Sequence, residues 1–221
     1  MPDDTLKPAL RTALRLHEIG DASPYRLFFA GKGKSGASFG FMQGDLAAGQ
    51  PIVQSTFRQV LGAAGVSDAD ITAFAARLSV HLIDNPLTPA ENDLIGGALN
   101  SDAGRPLIDA MDDDILSNVY AQLDSCVTAA QQANRTIAPK AQIYTALWIN
   151  MTGAPNVLLR WLSGQPVAMA RPVPVAPAVV DGAAMEAYLG ATSYYTENPQ
   201  NLPHMMQCAA AGMAQLGGAG G

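Results

Sequence analysis

The stretch Glu18–Asp45, EIGDASPYRLFFAGKGKSGASFGFMQGD, decides how this chain reads. It places a carboxylate at the end of an apolar helical stripe, then a glycine-punctuated turn region, then a second carboxylate. Leu6, Leu10 and Leu14 recur at i, i+4 spacing, and Glu18 takes the next step of that stripe. Gly20 is a helix stop, which puts Glu18 in the last turn, where unpaired backbone carbonyls make the local field negative. Partial burial and such a field both favour a protonated carboxyl, the form a general acid needs to protonate a leaving glycosidic oxygen. An ordinary last-turn glutamate reaching out to water would show the same spacing.

Downstream, Gly31, Gly33, Gly36 and Gly40 interrupt a run containing Ser35, Ser38, Phe39, Phe41, Met42 and Gln43. The run reads as a small β-hairpin or irregular sheet near residues 26–43, not as helix. Glycines at this density let backbone come close to a ligand, and Ser38 and Gln43 can bond sugar hydroxyls or orient a water. The pentapeptide Gly36–Gly40 also fits G-x-S-x-G, but a nucleophilic serine there needs a buried strand before it and a helix directly after it. Neither is expected in this context.

The segment GASFGFMQGD at 36–45 resembles the second motif of goose-type lysozymes and soluble lytic transglycosylases, in which a Gly-x-Gly-Leu-Met-Gln core follows a catalytic, helix-terminal glutamate. Here the core stands as Phe39-Gly40-Phe41-Met42-Gln43. A third stretch, Asn150-Met151-Thr152-Gly153-Ala154-Pro155-Asn156-Val157, is similar to the Asn-x-Gly motif that closes the cleft in that family. Two residues separate Asn150 from Gly153 where the family has one, and Ile149 stands where it has Tyr. The resemblance implies a lysozyme-like α+β fold, mainly α, in which the hairpin forms one wall of a cleft. It implies Glu18 as catalytic acid and Asp45, directly after the Met-Gln-x motif, as base or electrostatic partner. Ser38, Gln43 and Asn150 would then bind substrate. Asp21 is a weaker second carboxylate, three residues past Glu18.

The implied activity is a glycoside hydrolase acting on β-1,4-linked amino-sugar polysaccharide, peptidoglycan first among them. Alternatives within the fold are a lytic transglycosylase, with Glu18 as both acid and base, and a chitosanase-like enzyme. A glycan-binding module without turnover is the third reading. The balance of 13 basic and 19 acidic residues, net −6, suits a cationic or neutral glycan better than the anionic bacterial wall. It also argues against nucleic acid, for which there is no basic stripe, no interleaving of aromatic and basic residues and no zinc-finger spacing.

The remaining signals are helical. A segment near 55–63 carries Phe57, Val60 and Leu61, and Ser67 to Asp70 caps a helix with Ile71, Phe74, Leu78 and Leu82 on its face. Thr88-Pro89-Ala90-Glu91 is a clear helix start, followed by Leu94, Ile95, Ala98 and Leu99. A long helix from Leu107 toward Ala133 bears the stripe Ile108, Met111, Ile115, Val119, Leu123 and Val127, with Asp112, Asp113 and Asp114 expected on its solvated side. Lys140–Met151 (KAQIYTALWINM) is apolar enough to be the central helix, and a shorter one follows from Pro155 to Leu162. A Pro-rich loop at 164–178 comes next, then helices near 182–192 and 202–216. Between those two, Tyr194 and Tyr195 form a candidate sugar-stacking platform.

Length and composition fit one domain, 1–216, with no second core visible and a flexible tail at 217–221. No run of about 18 apolar residues calls for membrane insertion, and MPDDTLKPALRT lacks a signal-peptide pattern. The chain reads as soluble, with its destination open. Cys126 and Cys208 read as two reduced, buried cysteines, and His17, His81 and His204 show no metal-ligand spacing. The Asp112–Asp114 triplet lacks the turn glycines of a calcium loop. The expectation is a monomer acting on polysaccharide without a metal or other cofactor.

Overall fold

The computed structural model describes residues 4–30, 35–81, 85–153 and 156–218. Gly31, Gly33, Leu82, Ala154 and Pro155, each part of a sequence signal above, lie outside them, as does the tail from residue 219. Helix α1 spans Lys7–Ile19, and three short strands follow: β1 (Phe28–Phe29), β2 (Ala37–Phe39) and β3 (Gly44–Asp45). A 3₁₀ turn (Leu46–Ala48) leads into α2 (Pro51–Ala63), α3 (Asp68–Leu78), α4 (Pro89–Leu99) and the long α5 (Gly104–Gln132). Then come β4 (Thr136–Ile137), α6 (Pro139–Thr152), α7 (Asn156–Leu162), β5 (Val179–Val180), α8 (Gly182–Gly190), α9 (Ser193–Glu197) and α10 (Leu202–Gly218). The fold is mainly α, with helix in 65% and strand in 5% of the described residues. No helix among the described residues is long and apolar enough to cross a membrane.

Where composition offers no second core, the described residues pack as two compact units: residues 18–116, and residues 1–17 together with 117–221. The chain passes from one to the other inside α1 and inside α5.

In the unit of residues 18–116, β1, β2 and β3 form an antiparallel sheet in that order, with Phe28 opposite Ser38 and Ser38 opposite Asp45. Phe39 of β2 enters a core with Phe57, Leu61, Phe74, Leu78, Leu99, Ile108 and Met111, drawn from α2, α3, α4 and α5. Caps set the helix starts. The Ser67 hydroxyl accepts from Asp70 N at the head of α3, and Thr88 and Glu91 form a reciprocal capping box at α4. Glu91 also receives two bonds from Arg77 of α3, at 2.6 and 3.1 Å, which tie the two helices together. Those bonds, with the backbone N–H of Thr88, hold the Glu91 carboxyl down at about 2. Leu94, expected on the apolar face of α4, is 46% exposed, while Ile95, Ala98 and Leu99 are buried.

In the other unit α6 is the central helix, as its composition predicts. Ile143, Tyr144, Ala146, Leu147 and Ile149 are buried, and α8 and α10 pack against it. Lys140 and Tyr144 of α6 both donate to Oε1 of Glu186 on α8, at 2.9 and 2.7 Å. Burial works to raise the Glu186 carboxyl, but the Tyr144 and Lys140 bonds outweigh it and hold the group below its ordinary range. The Pro-rich loop is extended and pinned: Trp161 Nε1 donates to Pro174 O (2.8 Å), and Arg135 Nε donates to Ala176 O (3.0 Å). It ends in β5, which pairs in parallel with β4, a contact no sequence signal announced. Cys126 and Cys208 are buried and form no disulfide among the described residues, and burial pushes the Cys126 thiol up to about 12. Helix α10 runs to Gly218, two residues into the expected tail.

Candidate functional site

In the unit of residues 18–116, α1 ends at Ile19, and Gly20 turns the chain in the left-handed region (φ +57°). Glu18 is half-buried in that last turn, and Asp21 is exposed just beyond it.

The β2–β3 connection, Gly40 to Gln43, is fixed by three hydrogen bonds to two partners. Gly40 N–H donates to Pro24 O (2.9 Å), and the Asp112 carboxylate of α5 accepts from Phe41 N (2.8 Å) and Met42 N (3.0 Å). Asp112 is completely buried, which corrects its expected place on the solvated side of α5; Asp113 and Asp114 are exposed, as expected. The reason is visible in the spacing. Asp112 stands four residues after Ile108 and three before Ile115, on the apolar stripe itself, and its oxygens satisfy amides that the tight turn would otherwise bury unpaired. Gly40 has to be glycine: its φ is +80°, and a Cβ there would collide with Asp112. One helical turn earlier on α5, both carboxylate oxygens of Asp109 accept from the Tyr25 hydroxyl, at 3.0 and 3.2 Å. One helix thus fastens both the approach to the sheet and its turn.

This clamp holds Gln43 at φ +53°, a backbone conformation that costs a non-glycine residue about 1–2 kcal/mol. Its Oε1 accepts from Ser38 Oγ (2.7 Å), while its Nε2 is shut off from solvent and has no hydrogen-bond partner among the described residues. Strain and an unpaired buried donor on one residue are the marks of a position held for function.

Ser38 and Gln43 are thus brought together, and Ser38 lies directly across the sheet from Asp45. Ser38 sits within β2 with its hydroxyl turned to Gln43, which is not the strand-to-helix elbow of a nucleophilic serine. The Asp45 Oδ1 accepts from Ala47 N (2.8 Å) and Gly36 N (3.0 Å), capping the 3₁₀ turn and closing the sheet. Oδ2 takes part in neither bond. Asp45 is thus a structural cap as well as a candidate partner to Glu18.

The other expected residues belong to the second unit. Asn150 is half-buried near the end of α6, and Gly153 is the left-handed cap of that helix (φ +65°), its N–H bonding Ile149 O. The added residue between Asn150 and Gly153 thus has a local explanation as a helix C-terminus. Tyr195 is 3% exposed, and its hydroxyl contacts the sulfurs of Met151 and Met205, which removes its ring from any platform. Tyr194 is 39% exposed and meets Tyr195 edge-on, with ring centroids 4.9 Å apart. Tyr194 lines a cleft of about 320 Å³ together with Trp148 and Thr152, which flank Asn150 in sequence; Asn150 does not line it. Ala168, Met169 and Ala170 put the Pro-rich loop on its wall.

No cluster of three His, Cys, Asp or Glu side chains among the described residues could hold a metal. No protein-family model, curated protein or solved structure matches the chain.

Proposed function

We propose that the chain is a lysozyme-like enzyme that cleaves β-1,4-linked amino-sugar polysaccharide, peptidoglycan first among the candidates, with Glu18 as the general acid. The observation that carries this reading is the Gly40–Gln43 turn. It follows a half-buried, helix-terminal glutamate, is clamped by a fully buried aspartate, and ends on a strained glutamine whose Nε2 is unpaired among the described residues. A rigid, preorganised wall beside a general acid is what positions a sugar for bond cleavage.

In the proposed reaction Glu18 gives its proton to the glycosidic oxygen as the C1–O bond breaks, and charge develops on the sugar ring. Its carboxylate then takes a proton from the attacking nucleophile, which restores the acid. Water as nucleophile gives hydrolysis, with Asp45 steadying the ring charge or orienting the water through Oδ2. Ser38 holds the Gln43 side chain in place at the end of the clamped turn, a positioning role. Asn150 and Tyr194 are proposed as glycan contacts of the unit that contains α6, with no part in the step at Glu18, and the chain would act as a monomer.

One observation favours a second route. Asp45 commits Oδ1 to two backbone amides, which suits a scaffold carboxylate better than a mobile base. Glu18 acting alone, with a hydroxyl of the substrate as internal nucleophile, gives a lytic transglycosylase. Incubating the chain with purified peptidoglycan, chitosan and chitin oligosaccharides, with products read by mass, tests both routes. Products with ordinary reducing ends are expected for hydrolysis, and products lighter by one water, with anhydro ends, for the alternative. No product from any of the three overturns the proposal.

A further inference from the structure

The cleft in the unit that contains α6 has features the Glu18 site does not use. None of its lining side chains is charged. Trp148 and Tyr194 both border it, and the core residue Tyr195 braces both: its ring lies 5.9 Å from Trp148 and 4.9 Å from Tyr194. Hydroxyl groups of Thr152, Thr192 and Ser193 stand among these rings.

The decisive residue is Tyr188. It is 1% exposed and lines the cleft, yet its hydroxyl has no hydrogen-bond partner among the described residues, although its ring packs on Trp161 at 4.7 Å. Among those residues the atom both unpaired and shut off from solvent is Gln43 Nε2, so the Tyr188 hydroxyl keeps a solvent opening. With so little exposure, that opening is the cleft. Burial pushes the phenol up, so it stays a neutral donor. The Trp148 indole N–H is likewise unpaired among the described residues, whereas that of Trp161 is bonded to Pro174 O. Buried polar groups are nearly always paired, and an unpaired phenol at the wall of an uncharged aromatic cleft calls for a ligand that brings its own oxygen.

We propose that this cleft binds an uncharged sugar ring. The aromatic rings would stack on its C–H face while Tyr188, Trp148 and Ser193 bond its hydroxyls. A charged ligand would find no counter-charge here, and a purely apolar one would leave the Tyr188 and Trp148 donors unpaired. The choice of an amino sugar as probe rests on the glycan-cleaving reading; the site itself includes neither Glu18 nor the hairpin.

The test uses the full chain carrying Glu18→Gln, labelled with ¹⁵N and titrated with the uncharged trimer tri-N-acetylchitotriose. The chain holds two tryptophans, so two indole N–H signals report, assigned with Trp148→Phe. The expected result is a saturable shift of the Trp148 signal in the millimolar range, with the Trp161 signal unmoved. Tyr188→Phe, which removes only the hydroxyl, should weaken binding about three- to tenfold. A Trp148 signal that stays still at saturating sugar overturns the proposal, as does unchanged affinity in Tyr188→Phe. So does a cleft that takes a fatty acid and refuses the sugar. Cleavage by the unmutated chain is read separately: binding here without cleavage supports this site and sinks the Glu18 reading, and cleavage with no Trp148 shift does the reverse.

Discussion

The hairpin of residues 36–45 and the Asn150 and Tyr194–Tyr195 region carry motif residues of the same apparent weight, and they turn out differently. In the hairpin the polar residues are bound to one another or to backbone: Ser38 to Gln43, Asp45 to Gly36 and Ala47, Asp112 to Phe41 and Met42. Among the described residues one buried side-chain donor, on a strained residue, is left over. In the other region Gly153 ends a helix and Tyr195 is core, and the open chemistry passes to neighbours that no motif named, Tyr188 and Trp148. A motif residue is best judged by what its polar atoms still lack after folding.

The sharpest contrast is within three consecutive aspartates. Asp112→Ala would leave two turn amides buried without an acceptor and should destabilise the unit by about 3–5 kcal/mol in urea unfolding, while Asp113→Ala and Asp114→Ala should each stay within about 0.5 kcal/mol. Equal effects at the three positions would break the assignment of Asp112 as the clamp. The tyrosine pair should split in the same way. Tyr195→Ala removes a core ring and is expected to cost about 3 kcal/mol or more, and Tyr194→Ala less than about 1 kcal/mol, with sugar binding lost in the second while its fold survives.

Gln43→Gly sharpens the comparison because it moves stability and activity apart. Glycine relieves the left-handed strain, roughly offsetting the lost Ser38 bond, so stability should change by less than about 1 kcal/mol. Cleavage should fall by about tenfold or more, since a positioning side chain is gone. A large fall in stability with unchanged cleavage would make Gln43 purely structural.

The smallest effect concerns Glu91, which lies outside both regions and is a control on the fold of the first. Its folded-state carboxyl is depressed to about 2, mainly by the Arg77 bonds. Its contribution is therefore fully present above the unfolded value near 4.5 and fades as pH falls toward 2. An acid titration of Glu91→Gln beside the parent chain should show the difference in stability shrinking across that window.

Much of the helical frame was legible in the sequence because capping and periodicity are local. Ser67, Thr88–Glu91 and the α6 run each announce their element within a few residues. The two-residue strands β4 and β5 were not legible, being too short to show alternation and paired across more than forty residues of chain. Asp112 was misread because its charge was weighed above its place on the Ile108–Ile115 stripe; a burial decided by a turn seventy residues away leaves no local trace. The Glu18–Asp45 order was legible as a motif, but the role of Asp45 as a cap for Gly36 and Ala47 depends on sheet register. The Tyr188 cleft had no sequence signal, since an unpaired hydroxyl is defined only by what surrounds it.

The central claim is that Glu18 delivers the proton that breaks a glycosidic bond. It is tested most directly by measuring new chain ends released from purified peptidoglycan and from chitosan by the parent chain and by Glu18→Gln, with both thermal melts recorded. The account predicts cleavage of at least one polymer by the parent, loss of a thousandfold or more in Glu18→Gln, and matching melts. Undiminished cleavage by a folded Glu18→Gln chain would contradict it.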